Sequence, residues 1–163
     1  MKFKKQTGFT LIELLVVIAI IGILASIVLV SFPGAQKKAK DSRVVGGIAQ
    51  MRTVMAYIEA NTGTYATFGC TVGTAGSTPC TSCLDSDLLT LCSEIKQNNS
   101  GQVGPVFAVK TTSPYAGCVY ALLNQKSNYW YCADSTGKAG FTSTNPNTTC
   151  TATTATCPTD VSG

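Results

Sequence analysis

The sequence predicts an α+β protein. A long N-terminal helix, apolar along its first half, packs through its second half on a small antiparallel sheet in a disulfide-rich head. Three observations predict it. Leu14 to Phe32 carry no charge, and their only polar side chains are Ser26 and Ser31. Val44, Ile48, Met51, Met55 and Ile58 then recur at three- and four-residue steps, the spacing of one buried helix face. All eight cysteines (Cys70, Cys80, Cys83, Cys92, Cys118, Cys132, Cys150, Cys157) follow residue 69, in a region whose short apolar runs read as strands.

The 163 residues suffice for one domain and an appendage. As a helix, Leu14–Phe32 would reach roughly 28 Å, enough for a bilayer core. A secretory signal peptide shares the basic end and apolar stretch. It does not explain Glu13, and Ser31-Phe32-Pro33-Gly34-Ala35 offers no Ala-x-Ala cleavage pattern. A permanent anchor fits by length. Basic residues flank both ends, so charge alone does not orient it. The cysteines do: an even number on one side of an apolar segment indicates disulfides, and places the C-terminal part outside the cytoplasm.

A third reading accounts for the remaining details. Lys5-x-x-Gly8-Phe9-Thr10-Leu11-Ile12-Glu13, followed by Leu-Leu-Val-Val-Ile-Ala-Ile-Ile-Gly22, resembles the N-terminus of type IV prepilins and type II secretion pseudopilins. The match is close over residues 4–29 and loose over 30–65. The resemblance implies that prepilin peptidase cuts between Gly8 and Phe9 on the cytoplasmic side and N-methylates the new amine of Phe9. It also implies a pilin-like fold, assembly through Glu13, and no cofactor.

Glu13 has a local and an intersubunit reading. Thr10-x-x-Glu13 has capping-box spacing, and a carboxylate near a helix N-terminus meets the dipole favourably. A carboxylate at bilayer depth costs about 2.5–3.5 kcal/mol and needs a partner. The family implies that this partner is the Phe9 amine of a neighbouring subunit, a pair that would penalise wrong register. The two roles are compatible at different stages.

Pro33-Gly34 is expected to interrupt or kink the helix, because proline removes a donor and clashes one turn back. Related pilins commonly carry this proline where Val30 stands here. Beyond it the apolar stripe should bury against the sheet, with Lys37, Lys38, Lys40, Asp41, Arg43, Arg52 and Glu59 on other faces. Gly46-Gly47 is a second soft spot. Asn61-Thr62-Gly63 is stop chemistry. Half of this rod, about 75 Å long, has no partner in its own domain. It needs lipid or other copies of itself.

In the head, residues 64–84 read as a cross-linked loop. A short helix is expected from Asp87 to Gln97, burying Leu88, Leu91, Cys92 and Ile95 after the cap Asp85-Ser86. Strands follow at Val106–Val109, Cys118–Leu123 and Tyr129–Cys132, with turns at Asn124–Asn128 and Asp134–Lys138. The Thr-rich tail from Thr142 has little to bury and is expected to be held only by Cys150 and Cys157, paired with each other as a local clip.

Other chemistries find less support. Three of the 12 basic residues lie in the first eight positions, leaving nine against eight acidic ones. The only dense basic cluster is Lys37, Lys38, Lys40 and Arg43, ordinarily a solvated helix face, so nucleic acid is not an expected partner. Cys80-x-x-Cys83 lacks a second pair and the chain has no histidine, which argues against zinc. Its Thr, Ser and Pro surroundings do not suit a redox pair. Some secretion pseudopilins hold calcium in a loop; Asp85, Asp87 and Asp134 are the candidates here, but EF-hand spacing is absent and no metal is assigned. Without histidine, a Ser-His or Cys-His pair is excluded within the chain.

The expected organisation is a cleaved leader (1–8), a membrane and filament-core segment (9–32), an amphipathic half-helix (33–60) and a Cys-rich head (61–163). The expected role is a pilin, major or minor, of a surface filament. Its expected partners are other pilins, prepilin peptidase, an inner-membrane assembly platform and, before assembly, the lipid bilayer. The alternatives are a type II secretion pseudopilin and a membrane-anchored adhesin or DNA-uptake module. An oxidoreductase using Cys80 and Cys83 is a third class.

Overall fold

A computed structural model describes residues 8–65, 86–100, 105–110 and 112–162. The loop expected over 64–84, apart from its first two residues, lies outside these, with Cys70, Cys80, Cys83 and Asp85. Helix α1 runs from Leu11 to Thr62, helix α2 from Ser86 to Asn98. Four strands follow: β1 Val106–Lys110, β2 Ala116–Leu122, β3 Trp130–Asp134 and β4 Ala139–Thr142. They form one antiparallel meander in chain order. The chain divides into two units, Met1–Gln36 and Lys37–Gly163.

In the first unit α1 is an exposed apolar rod. Every residue from Leu11 to Leu29 is exposed. Pro33 lies inside the helix and does not end it. This corrects the expected interruption at Pro33-Gly34. Proline deprives the Leu29 carbonyl of its donor, but the turns on either side keep theirs, and the helical run continues across the gap.

In the second unit, Val44, Ile48, Met51 and Met55 are almost completely buried, with Ile58 at the margin. They meet Phe107, Val119, Ala121 and Ala133 on one face of the sheet, and Leu88, Cys92 and Ile95 of α2. Helix α2 lies tight against α1 at Gly47, which is a packing point and not a soft spot. A Cβ there would lie 2.6 Å from Ile95 Cγ1. Gly63 stops α1 in the left-handed region (φ 70°) and donates its N–H to the Glu59 carbonyl.

The opposite face of the sheet carries a second core. Side chains alternate along a strand, so Val119 and Ala121 face the helices while Cys118 and Tyr120 face away. Cys118, Tyr120, Trp130 and Cys132 pack there against Cys150, Ala155 and Cys157 of the tail. The tail is therefore a second layer, which corrects the expectation that it had little to bury. It includes a 3-10 turn at Pro146–Thr148, and Ser162 bridges back to Phe141 of β4. Strand β4 was not expected from the sequence: Ala-Gly-Phe-Thr is too short and too weakly β-prone to stand out.

Candidate functional site

Gly8, Phe9 and Thr10 precede α1 without helical structure, and all three are exposed. A Cβ on Gly8 would meet nothing within 4 Å, so the Gly8–Phe9 peptide bond is open on the glycine side. Phe9 is 91% exposed. The Glu13 carboxylate accepts from the Thr10 backbone N–H at 2.8 Å and from its hydroxyl at 2.9 Å. Thr10 Oγ1 in turn accepts from the Glu13 N–H at 3.3 Å. This is the reciprocal capping box that the Thr10-x-x-Glu13 spacing predicts. Both bonds to the carboxylate fall on Oε2. Behind this cap, Leu11–Leu29 is long and apolar enough to cross a membrane, with mean hydropathy 3.0.

In the head, Cys118 bridges to Cys150 and Cys132 to Cys157. The expected Cys150–Cys157 clip is thus corrected: each tail cysteine meets a strand cysteine, because both strand cysteines face the tail. Cys92 is also disulfide-bonded, and no described cysteine is free. Asp134 is fully buried. Its Oδ1 accepts from the Thr136 and Lys138 backbone N–H groups and the Thr136 hydroxyl, and its Oδ2 from the Cys157 N–H at 2.8 Å. That carboxylate closes the β3–β4 turn and pins the tail. Among the described residues no three His, Cys, Asp or Glu side chains gather as metal ligands.

Sequence reasoning missed Asp41, which it left on a face of α1 other than the buried stripe. Asp41 is only 5% exposed. Its Oδ1 accepts from the Asn124 N–H at 2.6 Å and the Asn124 side-chain amide at 2.7 Å; its Oδ2 accepts from the Gln125 N–H at 3.0 Å. Asn124 also donates to the Asn98 carbonyl at the end of α2. The signal was present: Asp41 stands three residues before Val44, in register with the stripe that continues through Ile48 and Met51.

Residues 3–29 match the family pattern described as the prokaryotic N-terminal methylation motif. The type II secretion system core protein G of Vibrio cholerae is 38% identical over 66 residues, 40% of this chain and 45% of that protein. Fimbrial protein Q of Moraxella bovis is 52% identical over 50 residues, 31% of this chain and 32% of that protein. The type IV major fimbrial protein FimA of Dichelobacter nodosus is 48% identical over 50 residues, with 31% and 32% covered. The N-terminal part of the chain is thus similar to that of type IV pilins and type II secretion pseudopilins. The chain spans less than half the length of these relatives. No solved structure matches the chain significantly. The architecture is nonetheless pilin-like: a long apolar N-terminal helix, a small antiparallel sheet and disulfides in the head.

Proposed function

We propose that this chain is a subunit of a type IV pilus-like surface filament, made as a precursor and anchored in the cytoplasmic membrane before assembly. The observation that carries the reading is the methylation motif over residues 3–29, whose larger part is the exposed apolar helix Leu11–Leu29. Prepilin peptidase cuts Gly8–Phe9 and methylates the Phe9 amine. Residues 9–32 then hold the subunit in the bilayer, with the head outside, until an assembly platform in that membrane adds it to the filament. In the filament the Glu13 carboxylate meets the Phe9 amine of a neighbour and the apolar rods pack on one another. Pro33-Gly34 is the place where the helix bends or locally melts on packing, since one backbone bond is already missing there. The chain has no catalytic role of its own in this scheme.

A second reading, a pseudopilin of a type II secretion system, draws support from the secretion protein G of Vibrio cholerae, whose match extends over 66 residues. Fibres sheared from the cell surface distinguish the two. The pilus reading expects this protein in them, as major or minor subunit, beginning at N-methylated Phe9. An intact Met1 terminus in processing-competent cells would overturn the processing step. Fibres without this protein, in cells that secrete through it, would move it to the second reading.

A further inference from the structure

The basic cluster that the function leaves unused is part of a larger surface. Lys37, Lys38, Lys40 and Arg43 are exposed on the first turns of α1 within the head unit. The three hydrogen bonds to Asp41 draw the β2–β3 loop to the same turns and bring Lys126 with it. The Asn124 bond to the Asn98 carbonyl, and a 3.5 Å contact from Lys40 Nζ to Ser100 Oγ, add the end of α2, whose last turn carries Lys96. Three segments thus place six exposed cations at one end of the head. Asp41 is buried and already accepts three N–H donors, and the one exposed carboxylate near these cations among the described residues of the three segments is Glu94, one turn back from the end of α2, so the exposed surface is predominantly cationic. Lys126 Nζ also lies 5.3 Å from the centre of the half-buried Tyr129 ring, pairing an ammonium with an amphipathic aromatic.

We propose that this end of the head docks on the anionic phospholipid headgroups of the bilayer that holds the apolar segment. The inference rests on the reading that Leu11–Leu29 lies in the membrane. Chain connectivity favours lipid over other anions. Lys37 follows Phe32 by five residues, a reach of at most about 18 Å even fully extended, so the surface is tethered at the headgroup layer whatever the head's orientation. Clustered cations beside a span attract anionic lipid, and tyrosine is enriched at that depth. Docking would hold the head down while the subunit waits in the membrane. It would be given up on extraction, when contacts with other copies replace it.

The test is hydrogen exchange of the full chain, reconstituted in bilayers of phosphatidylcholine alone or with phosphatidylglycerol added, read at the Lys126 and Ser127 amides. The proposal expects exchange at least about fivefold slower with the anionic lipid. It expects that slowing to be lost in Lys38→Glu/Lys126→Glu, a variant checked for an unchanged unfolding midpoint by Trp130 fluorescence. Equal exchange in both bilayers, or slowing that survives the double reversal, overturns the proposal and leaves the pilin reading intact. Slowing produced in phosphatidylcholine by inorganic phosphate or a short DNA duplex assigns the surface to a soluble anion and also overturns it. A chain that enters neither bilayer overturns both the proposal and the reading beneath it.

Discussion

Asp41 and Asn124 are 83 positions apart in the chain, yet Asp41 Oδ1 receives both the backbone and the side-chain N–H of Asn124. One buried carboxylate thereby fixes the β2–β3 loop to the helix. Asp41→Ala leaves the Asn124 and Gln125 donors without their acceptor. The expected cost is about 3 kcal/mol, since bonds to a charged group are worth more than neutral ones and partly buried donors lose their partner. Asp41→Asn keeps one acceptor and should cost roughly half as much. Urea unfolding of the full chain in detergent, followed by the fluorescence of Trp130 in the head, measures both. Equal midpoints for wild type and Asp41→Ala would refute the anchor.

Gly46 and Gly47 are adjacent and should respond in opposite directions. A Cβ at Gly46 meets nothing within 4 Å. Gly46→Ala should therefore stabilise by up to about 1 kcal/mol through helix propensity. At Gly47 the same Cβ would approach Ile95 Cγ1 to 2.6 Å, and α2 must shift. Gly47→Ala should cost about 1–3 kcal/mol of packing, partly offset by the same propensity gain. A stabilised Gly47→Ala would mean that α1 and α2 do not pack as described. The unfolding midpoints of the two variants decide it.

What the sequence made legible divides along physical lines. The long helix, its apolar half, the buried stripe and three of the four strands followed from local periodicity, which needs no partner to be read. The tail layer did not. Its order depends on cysteines 25 and 32 residues away, and its composition alone resembles that of a disordered segment. Strand parity could have corrected the pairing: Cys118 and Cys132 share the face opposite Val119, so both look away from the helices and toward whatever covers that side. Asp41 was misplaced because charge was given more weight than register. At the N-terminus, the capping-box geometry was legible from spacing. The proposed intersubunit role of Glu13 came only from the family resemblance, because a single chain contains no neighbour.

The tail pairing is directly testable. Non-reducing peptide mapping should find one linkage between the Cys118 and Cys150 peptides and another between Cys132 and Cys157. A Cys150–Cys157 peptide would restore the local clip. Each bridge closes a long loop, so Cys118→Ser/Cys150→Ser should lower the head's stability by roughly 3 kcal/mol, and Cys132→Ser/Cys157→Ser by a similar amount. A local clip would confer less, because its loop is much shorter.

Asp160 adds a pH dependence to the tail. The Thr142 hydroxyl donates to both of its carboxylate oxygens at 2.9 Å, and Thr144 adds a further bond. The Thr142 bond holds the Asp160 carboxyl below its ordinary range, with Thr144 contributing. A depressed folded pKa means that the contact stabilises above the unfolded value, and that its contribution is lost as pH falls through the folded pKa. A carboxyl-carbon NMR titration should therefore place the Asp160 midpoint below that of an unperturbed aspartate. Thr142→Val removes the donor and should move the midpoint up. An unmoved midpoint would break the assignment.

The last prediction separates the two roles of Glu13. In the single chain its carboxylate is occupied by Thr10 through Oε2. A glutamine can make the same capping-box contacts, because the motif accepts either residue at this position. It cannot supply a negative charge to an amine. If Glu13 were only a cap, Glu13→Gln would assemble normally and Glu13→Ala would show a defect of about 1 kcal/mol in helix stability. If the carboxylate pairs with the Phe9 amine of a neighbour, both variants should be cut at Gly8–Phe9 and remain in the membrane. Both should also fall at least about tenfold in sheared fibres, because either one leaves an ammonium unpaired in an apolar core. The measurement is the ratio of fibre to membrane protein for the three forms, with the Phe9 terminus verified by mass. Normal fibre yield from Glu13→Gln would reduce Glu13 to a helix cap and leave the filament register to the rods alone.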